Sequence, residues 1–225
     1  MDKTNKSKIF YKNKLPHYQP VGAAFFVTFR LFGSIPKSKT GELKKLYKSE
    51  IIQLRKNEEK NREEILSLRY KYFKKFDELL EKDNIGPHYL KEENISKIVS
   101  EQLHRFDNEF YELIAYTIMS NHVHILIDTG IQLSSEINEY DLNNSYVPLD
   151  KIMKRIKGPT AIYCNRDLNR KGKFWDRESY DVYIRNHKML LNIISYILEN
   201  PVKAGIVKNW RDYKWSYWKG YEADY

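Results

Sequence analysis

Apolar positions along the chain change their period several times, and each change marks an element. Residues 23–33 (Ala-Ala-Phe-Phe-Val-Thr-Phe-Arg-Leu-Phe-Gly) form a nearly unbroken apolar run closed by Gly33 and Pro36, the pattern of a buried strand. Over about 41–82 the character switches. Leu43, Leu46, Ile51, Leu54, Ile65, Leu68, Tyr72, Phe76 and Leu79 recur at roughly helical spacing on a strongly charged background. This spacing predicts one long helix or a helical hairpin, broken near 57–61 and ended by Gly86-Pro87. A helix over about 91–106 leads into two apolar runs, 111–119 and 122–128, joined by Ser120-Asn121. So short a connection makes them antiparallel.

Beyond an Asn-rich loop at 129–147, an amphipathic helix is predicted over about 149–168, with Ile152, Met153, Ile156 and Ile162 apolar. A strand follows near 174–184, then a strongly apolar helix over about 187–199 that stops at Asn200-Pro201. The tail at about 208–225 carries Trp210, Tyr213, Trp215, Tyr217, Trp218 and Tyr221, and no internal repeat is visible. These elements predict an α+β fold, an antiparallel sheet with helices packed mainly on one face. The 225 residues read as a single domain, long enough to bury a core, with a helical insertion at about 40–82.

Composition adds a partner class. There are 39 Lys plus Arg against 30 Asp plus Glu, a net charge of +9, and 14% of the residues are aromatic, including 18 Tyr and 4 Trp. That balance suits a polyanion with stackable bases, although a solvated lysine surface on a soluble protein has the same composition. The single Cys164 excludes an internal disulfide and a cysteine-built zinc site, and fits a reducing cytoplasm. No apolar stretch approaches the length of a membrane span, and Met1-Asp2-Lys3-Thr4-Asn5-Lys6 lacks the apolar core of a signal peptide.

Candidate chemistry begins at Asn121-His122-Val123-His124-Ile125-Leu126-Ile127. Side chains alternate across a strand, so His122 and His124 share one face. Two imidazoles where core residues are expected are costly unless something uses them, and a metal ion is the simplest user. A His-x-His triplet alone is a weak signal that satisfied or exposed histidines explain better, and no further His or clustered Cys nearby offers a third ligand. On the last predicted helix, Leu190, Leu191, Ile193, Ile194, Ile197 and Leu198 form an apolar arc, and Tyr196 and Asn200, four apart, stack beside it. A helix lying across the sheet could bring that phenol and amide to the histidines. Tyr196 packing at a core boundary, with Asn200 as an ordinary helix-end residue before Pro201, is the simpler alternative.

Four ordered blocks carry a family resemblance. The run Tyr116-Thr117-Ile118-Met119-Ser120-Asn121-His122-Val123-His124-Ile125-Leu126-Ile127 resembles the "M-P-N-H-V-H-L-L" signature of single-tyrosine HUH transposases. Tyr196-Ile197-Leu198-Glu199-Asn200-Pro201-Val202-Lys203-Ala204-Gly205-Ile206-Val207 resembles the "Y-I-x-x-N-P-V-K-A-G-L-V" block of the REP-associated tyrosine transposase branch. Ile156-Lys157-Gly158 and Phe174-Trp175-Asp176-Arg177-Glu178-Ser179-Tyr180-Asp181 are similar to that branch's "I-K-G" and "F-W-Q-R-x-Y-x-D" elements. The similarity covers about residues 16–36 and 86–218. Ser120 replaces the usual proline, and the charged segment at about 40–82 is longer than the typical connection.

The resemblance implies a ferredoxin-like HUH sheet and metal-dependent cleavage of single-stranded DNA, with strand transfer through a covalent 5′-phosphotyrosine. It implies Tyr196 as nucleophile, and His122, His124 and Asn200 as ligands to Mg²⁺ or Mn²⁺, with phosphate oxygens and water rather than a carboxylate completing the sphere. Hairpin-forming repeats are the implied substrate, the prokaryotic cytosol the implied location, and the active unit a monomer or a homodimer. Residues 40–82 are then a dimerisation element or a DNA clamp. Candidates for DNA contacts are Lys151, Lys154, Arg155 and Lys157 on the basic helix, Arg170, Lys171 and Lys173 in the following loop, and Arg177 and Tyr180. Trp175 and the aromatic tail either stack on bases or pack inside the fold. The competing reading is a non-catalytic hairpin-binding protein derived from such a transposase.

Overall fold

The computed structural model describes residues 10–12, 16–56, 62–82, 86–133 and 145–222. Five strands form the main sheet: β3 (Ala24–Leu31), β4 (Glu112–Ile118), β5 (His122–Asp128), β6 (Trp175–Tyr183) and β7 (Ser216–Trp218). A separate short pair, β1 (Phe10–Lys12) and β2 (Pro16–Tyr18), precedes them. The helices are α1 (Lys37–Lys56), α2 (Arg62–Lys82), α3 (Glu93–His104), α4 (Leu149–Asp167), α5 (His187–Lys203) and the short α6 (Lys219–Glu222).

The strand order is β6-β3-β5-β4-β7, and every pairing is antiparallel. The α+β class and the antiparallel sheet expected from the apolar pattern are therefore present. The histidine strand β5 lies at the centre, where both neighbours and both faces shield it. That position explains its unbroken apolar run, because a strand covered on both sides has no solvent face to make polar.

The expectation of helices mainly on one face is corrected. Phe25, Val27, Phe29 and Leu31 of β3, with Val123, Ile125 and Ile127 of β5, pack against Ile95, Val99 and Leu103 of α3 and Ile152, Met153 and Ile156 of α4. The alternate residues Phe26, Ala115 and Leu126 point the other way, to Phe73 of α2 and Ile193, Ile194, Ile197 and Leu198 of α5. One sheet is thus sandwiched between two helix layers, which strand alternation alone could not reveal because both faces are apolar.

The insertion is a helical hairpin. Tyr47 and Ile51 of α1 and Leu68 and Tyr72 of α2 form its own small core, with the Tyr47 and Tyr72 rings 4.9 Å apart. Leu46, expected on the inward stripe, is 52% exposed, and Tyr47 takes the inward position instead. The expected break at 57–61 lies outside the described residues.

Two further differences concern the C-terminal third. The last helix does not stop at Asn200 but runs through Pro201 to Lys203. Its end is a Schellman closure: Gly205 N–H donates to the Val202 carbonyl (2.9 Å) and Ile206 N–H to that of Pro201 (3.0 Å), with Gly205 at φ +69°. Pro201 has no N–H to donate to the Ile197 carbonyl, so the helix carries this interruption in its last turn rather than ending before it. The aromatic tail closes the sheet. Tyr217 and Trp218 register with Tyr116 and Ala115 of β4, Trp215 and Tyr217 pack on the α3/α4 face, and Trp210 and Trp218 on the α5 face. Among the described residues, no helix is long and apolar enough to cross a membrane.

Candidate active site

The site is built on one row across the sheet. Tyr180 of β6 pairs with Thr28 of β3, Thr28 with His124 of β5, His124 with Thr117 of β4, and Thr117 with Ser216 of β7. Partners in register lie on the same face, so this polar row sits beneath α2 and α5. His122 is two residues along β5 and on the same face.

Each imidazole is held through its Nδ1. His122 Nδ1–H donates to Asn121 Oδ1 at 2.6 Å, and Asn121 Nδ2 donates in turn to the Leu80 carbonyl at the end of α2 (3.1 Å). The amide oxygen can only accept, so His122 carries its proton on Nδ1 and presents an Nε2 lone pair. His124 Nδ1 lies 2.7 Å from Thr28 Oγ1, a hydroxyl that serves either tautomer. Both Nε2 atoms then point at one spot, 3.1 Å apart.

A carboxylate meets them there. Asp77 of α2 brings Oδ1 to 3.4 Å from His124 Nε2, and the ligand atoms of Asp77, His122 and His124 all lie within 4.8 Å of one another. That Oδ1 is buried without hydrogen-bond geometry to any partner. The resemblance needed no carboxylate, and the residues around the His pair offered none. It comes from the insertion. A signal did exist: Phe73, Asp77 and Leu80 share one helix face at spacings of four and three, so a charged residue interrupts a buried stripe. Thr28, the one hydroxyl in a strand that is apolar but for Arg30, carried a similar signal.

α5 supplies the phenol and the amide. The Tyr196 ring lies 5.5 Å from that of His124 and packs against Phe26 (5.9 Å) and Phe73 (6.0 Å), whose own rings are 5.2 Å apart. One turn on, Asn200 Nδ2 donates to the Tyr196 carbonyl at 3.0 Å, which turns Oδ1 away into the interior, fully buried and unpartnered. Lys203 places its Nζ 5.3 Å from the Tyr196 ring centre.

The electrostatics are those of a desolvated cluster. Burial, with a smaller contribution from His88, holds the His122 imidazolium down to about 3, and burial with His122 holds His124 well below its ordinary range. Both rings are neutral at physiological pH, the form that binds metals. Burial pushes the Asp77 carboxyl well above its ordinary range, reinforced by Glu81 and opposed by Lys203. Two imidazoles whose Nε2 atoms converge, with the orphaned Asp77 oxygen beside them, are donors that a divalent cation would satisfy, and the Asn200 amide one turn from Tyr196 carries a second orphaned oxygen. The donor set fits the group that the sequence motifs imply.

The other candidate residues separate into two groups. Lys151, Lys154, Arg155, Lys171, Lys173 and Arg177 are exposed and Arg170 is half-buried. Lys154 pairs with Asp150 (3.0 Å), Arg155 lies over Phe110, and Arg170 over Tyr89. Lys157 and Tyr180 are used inside the fold. Lys157 Nζ donates to the Asp176 carbonyl (2.8 Å) and Ser179 Oγ (3.1 Å), and burial lowers its pKa to about 8. The Tyr180 ring stacks on Phe73 at 4.6 Å while its hydroxyl donates to the Arg69 carbonyl. Trp175 is a core residue, its Nε1 donating to Thr160 Oγ1 (2.9 Å). Ser120, in place of the usual proline, has its hydroxyl 2.8 Å from His88 Nδ1.

Fold and site together define an antiparallel α+β protein with a buried imidazole–carboxylate cluster beside a helix-borne tyrosine. No family model matches the chain. A Haemophilus influenzae protein named "Putative REP-associated tyrosine transposase" is 29% identical over 106 residues, 47% of this chain and 58% of that protein. The chain thus matches less than two thirds of that relative's length. A solved structure of a REP-associated tyrosine transposase bound to a REP hairpin is similar with a TM-score of 0.46 at 15% identity, covering 91% of this chain and 82% of that one. The family resemblance in the four sequence blocks and the name of the curated relative agree.

Proposed function

We propose that this protein is a metal-dependent single-stranded DNA endonuclease and strand transferase that acts at hairpin-forming repeats through a covalent 5′-phosphotyrosine on Tyr196. The observation that carries the reading is the placement of Tyr196 against His124, with the unpartnered Asn200 Oδ1 one turn further along the same helix. The similarity to a protein named as a REP-associated tyrosine transposase supports the substrate class, and with it a place of action in the cytosol.

The Tyr196 oxygen attacks a backbone phosphorus. The new O–P bond replaces the P–O3′ bond, and the phenolic proton is balanced by the one taken up by the departing 3′-hydroxyl. Because one phosphoester replaces another, a 3′-hydroxyl from a second strand reverses the step without ATP. His122, His124 and Asn200, with Asp77 now added, are the residues that would hold Mg²⁺ or Mn²⁺. When bound, the ion neutralises charge on the phosphate oxygens. Phe26 and Phe73 pack together against one side of the phenol ring and limit the directions it can take.

Incubation with hairpin-bearing single-stranded DNA and Mn²⁺ tests the reading on a denaturing gel. The wild type is expected to form a covalent adduct, Tyr196→Phe to form none while retaining DNA binding, and a His122→Ala/His124→Ala double variant to lose metal-dependent cleavage. Adduct formation by Tyr196→Phe, or equal wild-type activity in chelator, would sink it. Specific DNA retention by the wild type with no adduct would establish a binding protein instead.

A further inference from the structure

The centre just described is closed. His122 is 1% exposed, His124 and Asn200 are 0%, and Asp77 is 3%, so no DNA phosphate reaches them in this arrangement. What covers them on the β3/β6 side is α2, seated by a few contacts. Phe73 packs edge-on to Phe26 at 5.2 Å and stacks on Tyr180 at 4.6 Å, the Tyr180 hydroxyl donates to the Arg69 carbonyl, and Asn121 donates to the Leu80 carbonyl. Asp77 projects from the same helix into the centre. Its Oδ1 makes no hydrogen bond there, and its own helix sets Glu81 and Glu78 against it while Lys203 of α5 favours the charged form.

We propose that Asp77 is a displaceable ligand, through which a bound divalent ion latches the α1–α2 hairpin over the centre until a DNA phosphate oxygen takes the carboxylate's place. A carboxylate oxygen and a phosphate oxygen are both hard anionic donors, so one can replace the other on the same cation. His122, His124 and Asn200 stay with the sheet and α5, and keep the ion when Asp77 leaves. Its carboxylate therefore has two successive situations. In the DNA-free protein it closes the coordination sphere and holds α2 down. With DNA bound it is withdrawn together with α2, and the phosphate lies where it was. The long charged insertion then supplies one side of the site and controls entry to it. This inference rests on the metal-binding part of the function proposed above.

Hydrogen exchange of the α2 amides tests it, measured with and without Mn²⁺ and a hairpin-bearing single-stranded oligonucleotide, beside adduct formation. In the wild type, Mn²⁺ at a hundred times its Kd is expected to slow exchange through hairpin opening several-fold, with about a hundred-fold as the ceiling because the open centre keeps part of its affinity for the ion. Asp77→Ala should still bind Mn²⁺ but show no such slowing, and the isosteric Asp77→Asn should show much less. Adding the oligonucleotide should remove the slowing in the wild type. Both variants should form adducts faster than the wild type, because no carboxylate has to be displaced. Equal slowing in wild type and Asp77→Ala overturns the latch, as does no Mn²⁺ effect on α2, or α2 remaining protected with DNA bound. Loss of adducts in both variants with Mn²⁺ still bound makes Asp77 a permanent ligand and also overturns it. Mn²⁺-dependent slowing in a wild type that forms no adduct leaves the latch standing and removes the cleavage reading. Adducts without any Mn²⁺ effect on α2 do the reverse.

Discussion

At the scale of single residues, burial sets the protonation of the centre before any ion arrives. His122 and His124 stay neutral in the folded protein far below the ordinary imidazole value of 6.5, the first down to about 3. Between those values the unfolded chain binds more protons than the folded one, so stability falls as the pH is lowered through that window. Asp77 has the opposite sign. Burial pushes its carboxyl above the ordinary 3.8 in the fold, so its contribution is lost as pH rises through the raised value. In chelator, the urea midpoint should therefore drop between pH 6.5 and 4, and Asp77→Asn should steepen the drop. A wild-type midpoint flat across that range would contradict the neutral, desolvated pair. The two histidines were legible in the sequence because they interrupt an apolar strand within two residues of each other. Asp77 was much harder to read: its one signal is the helix face it shares with Phe73 and Leu80, and it sits among Lys74, Lys75, Glu78 and Glu81 on a helix whose polar residues mostly face water. Packing is what singles out the one carboxylate that turns inward.

At the scale of elements, period and punctuation located β3, β4, β5, β6, α3 and α4 to within one or two residues. They failed at the end of α5. Asn200-Pro201 reads as a stop, since proline cannot donate to the preceding turn. The real stop is Gly205, whose positive φ lets the Schellman closure form. The difference has a functional side, because Asn200 sits inside the helix rather than at its frayed end, and its amide is fixed against the Tyr196 carbonyl. Gly205→Ala should destabilise the protein by about 1–2 kcal/mol, the cost of a left-handed conformation for a residue with a Cβ. Nothing lies within 4 Å of a Cβ built there, so backbone strain alone would be responsible. A denaturation midpoint unchanged by the substitution would show that the helix end has another conformation in solution.

At the scale of the molecule, the two helix layers divide the labour. The histidine pair, Tyr196 and Asp77 lie on the α2/α5 face, whereas the basic helix α4 and the loop that follows it pack on the other. β6 is the edge strand that α4 reaches through Lys157, so under the proposed function the direct path for a DNA strand in touch with both faces runs around β6. Lys157 and Tyr180 are spent inside the fold, and backbone phosphates are left to exposed side chains such as Lys151, Lys171 and Arg177. Replacing Lys151 and Lys171 with Gln should weaken binding across sequences and reduce the salt slope by about 0.7 per lost phosphate contact on single-stranded DNA. Cleavage at saturating DNA should be unaffected. An unchanged slope would move the DNA path elsewhere. Net charge pointed to a polyanion, but charge counts carry no address, and the face on which the basic helix lies depends on a two-sided sheet that the sequence did not disclose.

Asn121 joins these scales. One end of its amide fixes the His122 tautomer, and the other end holds the last turn of α2. Lifting α2 would break the second bond and free the amide to turn, so the imidazole would lose the partner that orients its lone pair. Ion affinity and hairpin closure would then be a single linked equilibrium. By reciprocity, whatever factor the ion adds to closure, closure adds to the ion's affinity, and the same factor is surrendered on opening. The centre would be a tight store for its ion at rest and a looser one while it works, open to exchange with the surrounding solution once in every catalytic cycle.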